Sequence, residues 1–255
     1  MRRVHTMLIA AALVCLLPAA PLSAAVIEQT ETETVHRVVP MGPNGTLKLH
    51  NFSGHVRITG GDVQSVTVDA LRRATRDRLD RIKLDIQSDG SGVTIEANKK
   101  DSRWGDFTNN NVVETEFEIQ VPRDAHLDID VFSSPVTVSG VSGRQDVKTF
   151  SATIRLNDVA APVKAKTFSG AIELNLANHV TQPELDLDTF SGGIDVRMPP
   201  GAGAAVELDT FSGDINSEVP LSVHSKSRRG IRGDLGQPGS GRVRFKTFSG
   251  GVRIR

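Results

Sequence analysis

The side chains here with the types and spacing for chemistry are serines, histidines, paired carboxylates and one arginine cluster. Ser53, Ser169, Ser191, Ser212 and Ser249 recur in the same Phe-Ser-Gly setting. A nucleophilic serine needs one special environment with a base beside it. Identical copies point instead to inward hydroxyls that satisfy backbone groups at a recurring corner. His36, His50, His55, His126, His179 and His224 form no pair at metal-ligand spacing, and only His50 and His55 lie close, flanking one corner. Residues 101–111 supply Asp101, Asp106 and three asparagines but lack the spaced ligands and glycine of an EF-hand loop. Carboxylate pairs such as Asp186/Asp188 belong to a longer charged row. Arg228, Arg229 and Arg232 are the one local basic cluster, and guanidinium groups on a loop suit phosphate or carboxylate. The plainer reading of that candidate anion-binding loop is solvated charge. No catalytic, cofactor-binding or metal-ligating residue is assigned, and the reading is of a non-enzyme.

The elements that carry these residues come from a repeat. Phe-Ser-Gly or a close variant begins at Phe52, Phe132, Phe150, Phe168, Phe190, Phe211 and Phe248, which accounts for seven of the ten phenylalanines. From Phe132 to Phe211 successive copies start 18, 18, 22 and 21 residues apart. A period near twenty with no helix-length insert predicts an all-β, parallel β-helix or solenoid of about 20-residue coils. Before each motif, every other residue is apolar or Thr, as in Leu185, Leu187 and Thr189, and between them stand charges, Asp186 and Asp188. Alternation of this kind gives one buried and one solvated strand face. After the motif the apolar row resumes at Ile194/Val196, three residues beyond the serine, so the parity flips. Glycine permits such a bend, which makes Gly54, Gly170, Gly192, Gly213 and Gly250 structural corners. By the same parity each motif Phe points outward. Phe150, Phe168, Phe190, Phe211 and Phe248 form a candidate binding ladder, with coils about 4.8 Å apart. A neighbouring loop packed over the rings is the plainer alternative.

The rest of the chain is bounded more simply. Met1-Arg2-Arg3, an apolar run and small residues near Ala24/Ala25 read as a Sec-type secretory signal peptide over residues 1–25. Its removal leaves no cysteine and 28 basic against 30 acidic residues, a balance that argues against a nucleic-acid partner. No later run is long and apolar enough to span a bilayer as a helix. Residues 26–45 read as an extended lead-in, with an edge strand as one option. Residues 46–122 read as a first repeat copy plus an irregular region: a strand near Val66, a short helix over 75–82 with Thr75 at its N-cap, a hairpin around 88–92, and a strand ending at Pro122. Residues 123–255 read as solenoid repeats. Within them the 37-residue gap from Phe211 to Phe248 reads as two coils, the second degenerate with an excursion at its corner.

Thr-Phe-Ser-Gly-x-Ile-x-Val behind a signal peptide resembles the DUF4097 family of bacterial β-strand-repeat proteins, whose members carry the label "putative adhesin". The copies at Thr167, Thr189, Thr210 and Thr247 match its pattern best, and the resemblance covers about residues 45–255. It implies a right-handed β-helix-like fold in the periplasm or at the cell surface, and it supplies no catalytic residues. The expected function is adhesin-like binding or scaffolding at the bacterial cell envelope, with an envelope protein or polysaccharide as partner. An envelope-stress sensing or regulatory module and a carbohydrate-active β-helix enzyme are the alternatives. Because Val252-Arg253-Ile254-Arg255 lies within a repeat, an open C-terminal coil is expected to offer unpaired backbone for self-association.

Overall fold

A computed structural model describes residues 30–100, 112–160, 162–237 and 239–255. The predicted leader over residues 1–25 and the acidic loop 101–111 lie outside the described residues. The described residues are mostly strand, arranged as two facing mixed sheets of ten and eleven strands, with one short helix among them.

The unit is a two-strand coil. Val163–Ser169 lies in one sheet and Ile172–Leu176 in the other; the next coil repeats this with Glu184–Ser191 and Ile194–Arg197. Neighbouring coils pair in parallel and in register, Val163 on Leu185, Thr167 on Thr189 and Ile172 on Ile194. The alternation explains the packing. Leu185, Leu187, Ile194 and Val196 are each at most 3% exposed and face one another between the sheets. That apolar interior runs without interruption from Met41 to Ile254.

Stacking order departs from chain order at both ends. The first repeat copy, Thr46–Ser53, lies between Gly92–Lys100 and His126–Ser133. Residues 92–100 and Glu114–Pro122 therefore form a further coil, although they lack the motif. At the far end Gly241–Ser249 inserts between Glu184–Ser191 and Gly203–Ser212, and Val252–Ile254 between Ile194–Arg197 and Ile215–Ser217. The expectation of an open C-terminal coil is therefore corrected: those strands have a hydrogen-bonded neighbour on each side.

Charge supplies a physical reason. In chain order Glu207/Asp209 would stack on Asp186/Asp188, placing like charges opposite one another. Insertion puts Arg244/Lys246 between the two acidic pairs. Arg244 lies 3.8 Å from both Asp186 and Glu207. The same logic seats Lys48/His50 between Glu96 and Asp128/Asp130.

Antiparallel strands close the eleven-stranded sheet at both ends and the ten-stranded sheet at one; the other end of the latter is the parallel strand Ile215–Ser217. Leu221–Lys226 and Gly230–Gly236 form a hairpin whose second strand pairs with Gly203–Ser212, so the degenerate coil expected within the 37-residue gap is corrected to a hairpin. Its turn is built by Ser227, whose hydroxyl oxygen accepts the backbone N–H groups of Arg229 and Gly230. At the opposite end Ile82–Ser88 pairs with Gly92–Lys100, and the Asp89 carboxylate accepts the N–H groups of Ser91 and Gly92 in the turn. Thr30–Pro40 is an edge strand on Ser65–Thr75. The helix is Arg76–Arg81; Thr75 holds the N-cap position, but its hydroxyl makes no capping bond.

Candidate functional site

Five coils deliver the same three side chains, Thr, Phe and Ser, at their corner; Asn51 and Val131 replace the threonine in the other two motif copies. Thr149, Thr167, Thr189 and Thr247 end the inward row and are buried. Their hydroxyls donate to a carbonyl of the neighbouring coil: Thr167 to Ala152, Thr189 to Gly170, Thr247 to Gly192 and Thr210 to Gly250, at 3.1–3.3 Å. The next residue, Phe, points out. The serine after it is exposed in six of the seven copies and half-buried at Ser53. This corrects the inward placement of the serines. The inward row ends at the threonine although the strand runs on through the serine, so the threonine does the work expected of the serine.

The glycines stand at the corner as expected, but crowding explains them better than bending. A Cβ at Gly170, Gly192, Gly213 or Gly250 would lie 2.0–2.1 Å from the carbonyl oxygen of the adjacent coil. At all four this is the same carbonyl that accepts a threonine hydroxyl. Gly54 adds a backbone reason, with φ +113. Where Ala152 replaces glycine, Thr149 bonds instead to the Phe132 carbonyl.

The outward rings form one continuous ladder in the order Phe52, Phe132, Phe150, Phe168, Phe190, Phe248, Phe211. Centroids are 4.6–5.0 Å apart and planes within 10°. Each ring is 41–51% exposed, and no described loop covers them. The six steps make a ridge roughly 29 Å long with an exposed apolar edge of roughly 600 Å², taking about 200 Å² per ring. At one end the Arg229 guanidinium lies 4.3 Å from the Phe211 centroid and closes the last ring face by cation–π contact.

Beside the ridge runs a row of polar, mostly charged side chains, two residues before each ring: His50, Asp130, Lys148, Lys166, Asp188, Lys246 and Asp209 in stacking order, continued beyond His50 by Glu96 in the coil without a ring. Between this row and Phe52, Phe132 and Phe150 lies a groove of about 430 Å³. On the other flank, where the corner glycines bear no side chain, lies a shallow trough of about 760 Å³ that includes Gly193, Gly213 and Gly250.

The arginines expected to gather as an anion site take separate partners. Arg229 covers Phe211, while Arg232 bonds Glu207 through Nε at 3.0 Å and Nη2 at 2.6 Å. Hydrogen bonding to Arg232 holds the Glu207 carboxyl below the usual range and raises the arginine in turn. Arg228 is exposed in the turn. The histidines are likewise dispersed. His36 bonds Asp69 at 2.6 Å, His224 lies 3.0 Å from Asp234, His50 and His55 lie 3.8 and 3.6 Å from Glu96 and Glu118, and His126 accepts the Arg144 N–H. Among the described residues no three His, Cys, Asp or Glu side chains converge as metal ligands. No helix among them is long and apolar enough to cross a membrane.

Sequence reasoning did not anticipate the threonine ladder, the groove or the order of signs in the charged row. The recurrent Thr before each Phe carried the first. The last two depend on which coils are neighbours.

No curated protein matches the chain significantly. The chain is similar to a "putative cell adhesion protein" from Clostridium sporogenes, at 12% identity and TM-score 0.45 over 87% of this chain and 99% of that one. A "putative adhesin" from Bacteroides fragilis matches at 11% identity and TM-score 0.28, over 88% of this chain and 97% of that one. Another from Parabacteroides distasonis gives 9% identity and TM-score 0.28, with the same shares. The family model described as Toastrack DUF4097 matches residues 127–255, which hold five of the seven motif copies from Phe150 on and the Phe132 variant. By that match, over half of its length, the chain belongs to the Toastrack DUF4097 family.

Proposed function

We propose that this protein is an exported, non-enzymatic binding or scaffold module of the bacterial cell envelope, whose contact surface is the phenylalanine ridge. The observation that carries the reading is the exposure of seven stacked rings along one line. An apolar strip of roughly 600 Å² reaches the upper end of what soluble monomers usually expose, and strips of that size mark contact sites. The sequence favours export through its basic, apolar and small-residue N-terminus. Right-handed winding is the expected hand for parallel strands joined through a crossover. Non-enzymatic work fits the dispersal of the histidines and the pairing of Arg232 with Glu207.

The test is binding of purified protein to envelope fractions and to isolated envelope polysaccharide, comparing wild type with Phe168→Ser/Phe190→Ser. These side chains point into water, so the fold should survive, as circular dichroism would confirm. Binding is expected to fall at least about tenfold. Equal binding by the two proteins would remove the ridge from the function.

A further inference from the structure

We propose that the ridge is covered by the ridge of a second copy of this chain, in an antiparallel two-fold dimer centred on Phe168. This deepens the preceding reading and rests on it, since it takes the ridge as the contact surface. The ladder has an odd number of rings, and Phe168 is the middle one. A two-fold axis through Phe168, perpendicular to the stacking direction and lying in the contact plane, sets ladder on ladder. It also sets each charged row against its own reverse.

The signs then match. Lys148, one step from the centre, meets Asp188 of the other copy, and two steps out Asp130 meets Lys246. His50 meets Asp209 beyond them. These levels follow from the strand registers. Only Lys166 meets itself, on the axis, and it already has Asp188 of its own chain at 3.8 Å.

The register is specified as well as permitted. Shifting the pairing by one coil toward the Phe52 end sets Asp130 against Asp188, Lys148 against Lys166 and Glu96 against Asp209. Shifting it toward the Phe211 end sets Asp130 against Asp209 and Lys148 against Lys246. Like charges across a contact oppose binding and select the partner and register that avoid them. A flexible apolar ligand has no use for such an order of signs; a reversed copy of the same row does. The apolar edge of roughly 600 Å² with its flanking polar rows approaches the ~800 Å² per partner of a stable interface.

Sedimentation velocity of the purified protein through the micromolar range tests this. A dimer is expected for wild type, and Phe168→Ser/Phe190→Ser should weaken it at least about tenfold. Lys148→Glu sets an acid against Asp188 twice per dimer, and Asp188→Lys sets a cation against Lys148 twice; each alone should be largely monomeric. Mixing the two variants restores opposite charges at both contacts and should yield heterodimer, a rescue that misfolded chains would not give. Wild type that stays monomeric, a dimer indifferent to these changes, or a mixture no more associated than its components would each overturn the proposal. A monomer that still binds envelope fractions through its rings would sink the dimer and leave the functional reading standing. A ridge dimer with no envelope binding would do the reverse.

Discussion

Thr189 and Gly170 show how much of this fold is decided by single atoms. The Thr189 hydroxyl donates at 3.1 Å to the Gly170 carbonyl, and a Cβ on Gly192 would lie 2.0 Å from that same oxygen. A methyl group has no room there. Gly170→Ala would place its Cβ 2.0 Å from the Ala152 carbonyl oxygen that Thr167 uses. Overpacking with loss of a buried hydrogen bond should cost about 2–3 kcal/mol, read as a lower urea midpoint. Gly90→Ala is the control for glycine as such: nothing lies within 4 Å of its Cβ position, and only its φ of +83 resists, so about 1 kcal/mol is expected. Equal losses at both sites would refute the crowding explanation. The outward Phe followed from strand parity, because alternation holds up to the threonine. Parity did not hold for the serine, which is exposed although the strand runs on through it to the glycine.

The charged rows act at the scale of elements, choosing which coils become neighbours. Arg244 and Lys246 lie between two acidic coils, and Lys48 and His50 occupy the equivalent place at the other end. One exposed ion pair is worth little, but like charges stacked on adjacent strands are unfavourable at every level they share. Arg244→Glu/Lys246→Glu would bring three acidic coils together in succession. Hydrogen exchange should then quicken in Gly203–Ser212 and Gly241–Ser249 by about tenfold or more, while Val163–Ser169 keeps its protection. Uniform quickening throughout would show that charge does not govern the insertion. Periodicity gave the coils but not their order, since every copy offers the same apolar face. It also passed over the coil at residues 92–100, where Asn98 stands level with Phe52 and the motif is missing.

For the molecule as a whole, the two sheets share one core; antiparallel strands cover both sheets at one end and only the eleven-stranded sheet at the other, where the ten-stranded sheet finishes on the parallel strand Ile215–Ser217. The edge strands left over are short or charged, Ile215–Ser217 being three residues long, which discourages growth by further strands. Acid should loosen the fold. Hydrogen bonds from Lys99, Arg73 and Arg232 hold Asp85, Glu116 and Glu207 below their ordinary values of 3.8, 4.5 and 4.5. Carboxyls depressed in the folded state contribute stability that is complete above those ordinary values and is lost as the pH falls through the lower folded ones. Thermal melting should thus be level near neutrality and decline below about pH 4. Arg73→Ala/Arg232→Ala should shallow that decline; an unchanged slope would exclude these pairs as its source.

What the sequence alone determined is the coil: the inward row, the outward ring and the small corner residue are local consequences of alternation and sterics, and each copy states them again. Only the tertiary structure decided the order of stacking, the hairpin that closes one end and the continuity of the ridge. Those depend on which coil lies against which, and an apolar face accepts any similar neighbour. The choice falls to the weaker sum of charges across coils distant in the chain, which acquires a definite sign only once the strands are side by side.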